Sequence, residues 1–410
     1  MHSADVLGYV FDSFLRGISL FANREVLRHD YVPNTLPHRE EQVRFLGETV
    51  APVLKGDRCS NIFVYGKTGT GKTAVMKYVL NRVGQKAAEF GSPVRVCYVN
   101  CRIVGTEYRV FSNLCDAVGV RVPFTGLALG EVFERFKRGL DGQKHLFIAV
   151  LDEVDALVKM RGDVLLYELT RINETLRRSK ATLVGISNDL RFKEFLDPRV
   201  LSSLSEEEIV FKPYNAAELQ DILIDRAKIA FHENVVSSGA IDLCAALAAA
   251  EHGDARRALD LLRVAGELAE REGTSKLDEN HIRRAEKRIE HDRITEALRN
   301  LPFHSKLVLC SVYLLCKSQT PQVSVTGNIY EVYRELCAQA GTTPLTQRRV
   351  SGLINELDVI GVLNTQLVNM GRYGRTKKIH LGIVPIVLKN VFTEDDRVSR
   401  LLTLSPKHTR

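Results

Sequence analysis

The octapeptide Gly66-Lys67-Thr68-Gly69-Thr70-Gly71-Lys72-Thr73 constrains this chain more than any other stretch. It follows a short apolar run, residues 61–65, and precedes Val75, Met76, Val79, Leu80 and Val83 at helical spacing. A glycine-rich loop between a strand and a helix turns backbone N–H groups inward onto phosphates. The helix that follows adds the positive end of its dipole. Lys72 is placed to reach β- and γ-phosphates, and Thr73 to ligate magnesium. The motif therefore predicts ATP or ADP with Mg2+ as cofactors.

Three further apolar runs, residues 94–99, 145–151 and 181–186, read as strands separated by helical stretches. That alternation predicts an α/β fold with a parallel sheet covered on both faces, its near-continuously apolar strands lying centrally. From Asn215 the character changes. Asn215 and Glu218 form a capping-box pattern, and helical periodicity continues through residues 243–250, 255–271 and 281–294 without a strand signal. Beyond Pro302 come three helices, at residues 303–316, 329–340 and 345–359, then two strands, 362–370 and 377–383, around a basic glycine-containing turn. Three helices followed by a hairpin is the winged-helix arrangement. The expected organisation is thus a nucleotide-binding base over 1–214, an all-helical lid over 215–300 and a winged helix over 301–410.

Charge sharpens that division. The chain holds 57 Lys+Arg against 50 Asp+Glu, a net charge of +7, and residues 301–410 carry 14 basic and 7 acidic residues. Residues 1–300 balance at 43 of each, so the whole excess sits in the C-terminal quarter, as expected of a module that binds nucleic acid. The 8 cysteines lie scattered in apolar stretches with no Cys-x-x-Cys pair, which predicts buried free thiols in a reducing cytosol rather than a zinc site. The N-terminus lacks a basic start with an apolar core, and no apolar run approaches the ~18–20 residues of a membrane span. The expectation is a soluble intracellular protein, cytoplasmic and nucleoid-associated, with no membrane partner.

Asp152 and Glu153 close the run 145–151, where a Walker B pair would stand. Asp152 would hold magnesium and Glu153 would polarise the attacking water. Asn188 closes the next strand, where its amide could orient that water; the alternative is an ordinary turn residue. Arg199, in LDPRVLSSL, is either an arginine finger for a neighbouring subunit or a surface arginine in a local salt bridge. In GDARRAL, Asp254 can cap a helix and leave Arg256 on its first turn, facing the nucleotide. The alternative for Arg256 is a helix-surface ion pair.

Taken in order, the P-loop, LDEVD, GISND, LDPRVLSSL and GDARRAL resemble the motifs of AAA+ ATPases. Together with DYVPNTLPHREEQ before the P-loop, they resemble archaeal origin-recognition proteins of the ORC type, relatives of eukaryotic helicase-loading ATPases. The resemblance runs from Arg24 to about Ile383. It implies that Asn188 is sensor one and Arg256 sensor two, and that the segment around Val32, Pro33 and Arg39 walls the adenine. It also implies that Tyr214 and Arg226 complete the nucleotide pocket from the lid side. An insertion between the Walker motifs, near residues 108–138 with 120–126 at its turn, would contact DNA; alternatively Phe111, Leu114 and Val118 are one core helix face.

The winged helix carries its own argument. Thr346 can cap the third helix and place Gln347, Arg348 and Arg349 in its first turn, the end that reaches base edges in helix-turn-helix proteins. Arg372, Arg375, Lys377 and Lys378 make the hairpin cationic, suited to phosphates or a minor groove, and Tyr373 could pack or touch sugar. Winged helices also mediate protein contacts. The resulting expectation is an initiator that binds double-stranded origin DNA under ATP control and helps recruit the MCM helicase. The resemblance further implies that other initiator protomers join it on DNA and that hydrolysis is slow and regulatory. Two rivals share the motifs: a loader or motor ATPase without sequence preference, and an ATP-gated transcription regulator.

Overall fold

In a computed structural model of the chain, the described residues are Gly8, Phe11, 19–318, 324–369 and 375–404. They form two compact units, Met1–Ala285 and Glu286–Arg410. The first is built on strands β1 (Ile62–Gly66), β2 (Val94–Asn100), β3 (Leu146–Asp152), β4 (Lys180–Ser187) and β5 (Glu207–Phe211). Their order is β2-β3-β4-β1-β5 and every pairing is parallel. All seven residues of β3 are buried, as a strand covered on both faces requires.

Alternation along the strands sorts two cores. Ile62, Val64, Ile148, Val150, Val184 and Ile186 face helices α1 (Glu40–Val50) and α2 (Lys72–Phe90), burying Leu46, Val75, Met76 and Val79. Phe63, Phe147, Ala149, Leu151 and Leu183 face the other way. There they meet α3 (Cys101–Val104), α4 (Glu107–Ala117), α5 (Leu129–Asp141), α6 (Val154–Arg161), α7 (Val164–Arg171) and α8 (Pro198–Leu204). Strand β5 is not legible in the sequence. Its glutamates Glu207 and Glu208 and half-exposed edge position remove the apolar signature that marks β1, β3 and β4.

The lid follows with α9 (Ala216–Ala230), α10 (Ser238–Ala250) and α11 (Ala255–Arg271), then α12 (Glu279–Asn300). The Asn215–Glu218 capping box forms as its sequence indicates, and Asp254 caps α11 through the N–H groups of Arg256 and Arg257. All eight cysteines are free and buried.

The second unit contains α13 (Phe303–Ser318), β6 (Ser324–Val325), α14 (Thr326–Gln339), α15 (Gln347–Val359), β7 (Leu363–Asn369) and β8 (Arg375–Leu381). Helices α16 (Pro385–Thr393) and α17 (Asp396–Ser399) complete it. Its three strands are ordered β6-β8-β7 and antiparallel, beside a helix-turn-helix of α14 and α15. This is a winged helix with its own core, centred on Leu309, Leu315, Tyr333, Leu336, Ile354 and Phe392. Arg372 and Tyr373 lie outside the described residues, and only the backbone of Arg375 is described.

Within the insertion, Phe111 and Leu114 on α4 and Phe133 and Phe136 on α5 are core residues, and Phe111 and Phe133 have ring centroids 5.2 Å apart. The helices of this segment are therefore part of the base, leaving only residues 118–128 as the connection between them. Replacing Phe111 by Ala should cost about 3–5 kcal/mol of unfolding free energy. Denaturant unfolding that shows less than about 1 kcal/mol would mean the helix is not packed as described.

Candidate functional site

A parallel sheet binds ligands beyond the carboxyl ends of its strands, and the polar residues of this chain converge there. β1 runs into the P-loop, β3 ends at Asp152, and β4 ends at Ser187 before Asn188. Between this edge and the lid lies a cleft of about 320 Å³, within the size range of small-molecule sites. Gly69, Thr70, Gly71, Lys72 and Thr73 line it, with Asp152, Glu153, Asn188, Tyr214, Arg226 and Arg256. Val32 and Pro33 line it from the N-terminal segment.

The buried ammonium of Lys72 donates to the carbonyls of Gly66 (2.8 Å) and Lys67 (2.7 Å). Burial lowers its pKa to about 8; Asp152 opposes that shift and the charge of Arg256 adds to it. Two cations and inward-turned P-loop amides around one cleft are the donor set for a polyphosphate, so the residues present fit the nucleotide. Asp152 is heavily committed. One carboxylate oxygen accepts from Thr73 Oγ1 at 2.8 Å and from the Tyr98 hydroxyl, and the other from the Glu153 N–H at 2.9 Å. Thr73 and Asp152 therefore present two oxygen ligands side by side, a hard-donor pair of the kind magnesium takes.

Glu153 sits at φ 51°, a left-handed conformation that costs an L-residue about 1–2 kcal/mol. The turn lifts its side chain off the strand, where Asn100 Nδ2 donates to it at 3.5 Å and Arg102 stands 3.6 Å away. Asn100 pairs with Asp152 across β2 and β3. Asp155, the second residue of α6, accepts the backbone N–H of Asn188 at 3.1 Å and so fixes the end of β4 against the start of α6.

The lid meets the P-loop directly. Ala255 N–H, at the start of α11, donates to the Gly69 carbonyl at 3.1 Å. Gly69 has φ +70°, and a Cβ there would fall 1.7 Å from Asp254 Oδ1. The Gly69 carbonyl and Thr70 N–H share one trans peptide plane and point in opposite directions. Turning the carbonyl to the lid therefore turns the N–H away from Ala255. Gly71 likewise admits Tyr214, whose hydroxyl would lie 2.7 Å from a Cβ at that position. A second tie pairs His38 Nε2 with Asp221 Oδ2 at 2.8 Å.

Several residues singled out from the sequence sit elsewhere than the cleft wall. Arg39 lies behind the P-loop rather than at an adenine wall. Its buried guanidinium donates to Thr70 O (3.0 Å) and Lys212 O (2.7 Å) and stacks 3.7 Å from the Tyr214 ring centroid. Its reach to backbone carbonyls explains the placement: five fixed donors brace the loop from behind. Arg199 is 74% exposed in its side chain, 3.1 Å from Asp197 and clear of the cleft. Gly66 and Lys67 contribute carbonyls to Lys72 rather than atoms to the cleft lining, and Thr68 does not line it either. Arg226 does line the cleft, stacked 4.8 Å over Tyr31 and donating to Val26 O at 3.3 Å.

Tyr31 lines the cleft from within DYVPNTLPHREEQ, and Tyr98 and Asn100 join the site although no motif marks them. For Tyr98 and Asn100 the sequence holds a signal: both close the strand that pairs with the one ending in Asp152, and strand ends face the ligand edge.

Helix α15 of the second unit begins with the Thr346 cap accepting the Arg349 N–H. Gln347, Arg348 and Arg349 are exposed there. Arg349 stands 3.8 Å from Glu356, while Lys377 on β8 donates to Asn355 of α15. Lys378, adjacent on β8, is exposed. Among the described residues, no helix is long and apolar enough to cross a membrane.

Comparison with known proteins agrees with this geometry. Family models match the AAA domain over residues 55–191, the Cdc6 AAA+ ATPase-type lid domain over 220–287 and the CDC6 C-terminal winged helix domain over 296–390. The chain is thus an AAA+ ATPase-type protein with a Cdc6-type lid and winged helix, a class built to bind nucleotide. It is 50% identical over 408 residues to the ORC1-type DNA replication protein of Thermococcus onnurineus, covering 98% of each chain. It is 52% identical over 405 residues to that of Pyrococcus abyssi, covering 98% of this chain and 96% of the relative. The solved structure of the Aeropyrum pernix ORC1 protein in complex with DNA superposes with a TM-score of 0.83 at 49% identity, over 94% of this chain and 100% of the other. This chain belongs to the family of ORC1-type DNA replication proteins.

Gly69 offers a direct test of the lid contact. In Gly69→Ala, the left-handed backbone alone costs about 1–2 kcal/mol. The new Cβ also collides with Asp254, so ATP affinity should fall about tenfold or more. Gly84→Ala, at an open helix position, should leave affinity unchanged. Equal ATP affinity for Gly69→Ala and wild type, by fluorescent-nucleotide titration, would remove the lid contact from the binding mechanism.

Proposed function

We propose that this protein is a replication initiator that binds double-stranded origin DNA in an ATP-regulated manner and helps recruit the MCM helicase. The observation that carries the reading is the pair of exposed arginines, Arg348 and Arg349, on the first turn of the second helix of a helix-turn-helix, beside a cationic strand. That is the end of such a helix that reaches base edges. The DNA complex of the Aeropyrum pernix relative supports it, at 49% identity across nearly the whole chain.

ATP regulation rests on the cleft. Lys72 and the P-loop amides would hold the phosphates, and Thr73 and Asp152 would hold magnesium, which would neutralise phosphate charge. Glu153 takes the proton of the attacking water while Asn100 and Arg102 steady its carboxylate. Asn188 orients that water. Arg256 reports the terminal phosphate from the lid, and the lid seats on Gly69 only when the P-loop is in order. Arg199, exposed on the base, acts on a neighbouring protomer's nucleotide. Residues 118–128 reach DNA from the base, with Phe124 exposed at the tip. A motor without sequence preference is the rival, and DNA-stimulated fast turnover would mark it.

Two measurements check the reading. Glu153→Gln should keep ATP affinity and lose hydrolysis, whereas Lys72→Ala should lose affinity itself. On DNA, removing Lys378 should weaken origin and scrambled duplexes alike and lower the salt slope by ~1, since a phosphate contact carries no sequence information. Arg348→Ala should instead cost ~1–3 kcal/mol on origin DNA and much less on the scramble. Equal weakening of both duplexes by Arg348→Ala would show that α15 reads shape or phosphate rather than bases.

A further inference from the structure

The base carries a second cationic surface at the end of the sheet opposite the nucleotide cleft. Strands β3 and β4 begin there, preceded by Lys144 and by Arg177-Arg178-Ser179, with Lys180 opening β4. Lys144, Arg177, Arg178 and Lys180 are exposed, and none forms an ion pair among the described residues. The turn that presents them is unusually well secured. Asp141, at the end of α5, accepts the backbone N–H groups of Arg177 (3.1 Å), Arg178 (2.7 Å) and Ser179 (3.0 Å). Ser179 Oγ is buried, donates within reach of Leu140 O (2.7 Å) and Gln143 O (2.6 Å), and accepts from His145 N–H at 3.0 Å.

Charge explains why this matters. The carboxylate that faces the arginines is Asp141; desolvation pushes its pKa up, but three backbone N–H groups and the nearby charge of Arg178 bring it below the usual carboxylate range, and it forms no close ion pair with either arginine. The nearest acid before them in the chain, Glu174, is closed on Arg171 at 2.8 Å. A buried network therefore fixes a turn whose outward side chains are cations held in no ion pair. A backbone already fixed spares the loop-ordering cost of meeting a polyanion and leaves only the side chains to be ordered.

The surface is also continuous with residues 118–128. Val118 and Val120 seat against Gly139, where a Cβ would lie 2.3 Å from Val120 Cγ2, two residues before Asp141. Arg121, beside Val120, is exposed and likewise forms no ion pair among the described residues, so a line of cations runs from that connection to the start of β4. We infer that this rim is a phosphate-binding track for duplex DNA, engaging the backbone that passes the 118–128 connection. The inference rests on the DNA-binding reading above. Duplex DNA presents one negative charge per ~1.7 Å of its axis, so a row of unpaired cations meets phosphates without needing a particular sequence.

The test uses the full chain. Arg177→Ala/Arg178→Ala should weaken origin and scrambled duplexes by the same factor and lower the salt slope by ~0.9 for each phosphate no longer neutralised. A charge-matched control, Arg171→Ala/Arg284→Ala, removes two arginines already paired with Glu174 and Glu272 and should leave the slope as in wild type. Thermal melts check that both variants remain folded. A wild-type slope in Arg177→Ala/Arg178→Ala overturns the rim, as does an equal loss in the control, which would make the effect bulk charge. Loss of binding to polyglutamate with DNA binding intact also overturns it and assigns the surface to an acidic protein segment. Failure of the parent reading is distinct: wild type itself would not bind duplex DNA.

Discussion

One hydrogen bond organises the half of this molecule that holds the cleft, from the first N–H of the lid helix α11 to the Gly69 carbonyl. Its importance comes from the peptide plane it holds. A trans peptide is rigid, so whatever orients the Gly69 carbonyl also orients the Thr70 N–H on its far side. Phosphate on one side and lid on the other thus act on the same few atoms. Arg39 braces the next carbonyl, that of Thr70, from behind and holds Tyr214 against Gly71. Base, loop and lid are joined through backbone groups that no side-chain substitution elsewhere could replace.

That constraint accounts for the glycines. A side chain at Gly69 would occupy the Asp254 carboxylate, and one at Gly71 would collide with the Tyr214 hydroxyl. In a P-loop the usual argument for glycine is access for phosphate. Here the crowding comes equally from the protein, because Asp254 and Tyr214 approach from the lid side. Burial lowers the pKa of Lys72 to about 8, with Asp152 opposing that shift and the charge of Arg256 adding to it. A buried ammonium with two carbonyl acceptors is a poor resting place and a good anion site, so the strain of this arrangement and its specificity share one cause.

Much of this is legible in the sequence, and the pattern of what is not is physical. Strands β1, β3 and β4 declare themselves because both faces are buried and apolarity is continuous, whereas β5 hides because its edge position tolerates Glu207 and Glu208. Caps at Asn215, Asp254 and Thr346 read directly, since one side chain and a few N–H groups decide them. The P-loop, Asp152 and Arg256 can be brought together on paper because motif order implies topology. Arg39 cannot: its distance in sequence from the carbonyls of Thr70 and Lys212 carries no periodicity, and only the folded chain shows that it braces rather than lines the cleft. Tyr98 stands between these cases: its place at the end of the strand paired with β3 marks the ligand edge, and the folded chain adds its bond to Asp152.

Net charge is the most misleading quantity. Residues 1–300 balance at 43 basic and 43 acidic residues, and that balance hides a base over 1–214 with 30 basic against 26 acidic residues. Folding redistributes that balance. Many acids are consumed locally: Glu174 by Arg171, Glu272 by Arg284, Glu270 by Arg24, and Asp141 by three backbone N–H groups. A carboxylate bound to backbone N–H groups keeps its charge, but its oxygens are no longer open to a close ion pair, so Arg177 and Arg178 form none among the described residues. At the start of β3 and β4, Asp141 holds the backbone of the turn still and leaves its arginines outside any close ion pair, which is what the proposed rim needs. Composition can therefore place an anion-binding module, but only hydrogen-bond accounting shows which surface cations lack a close partner.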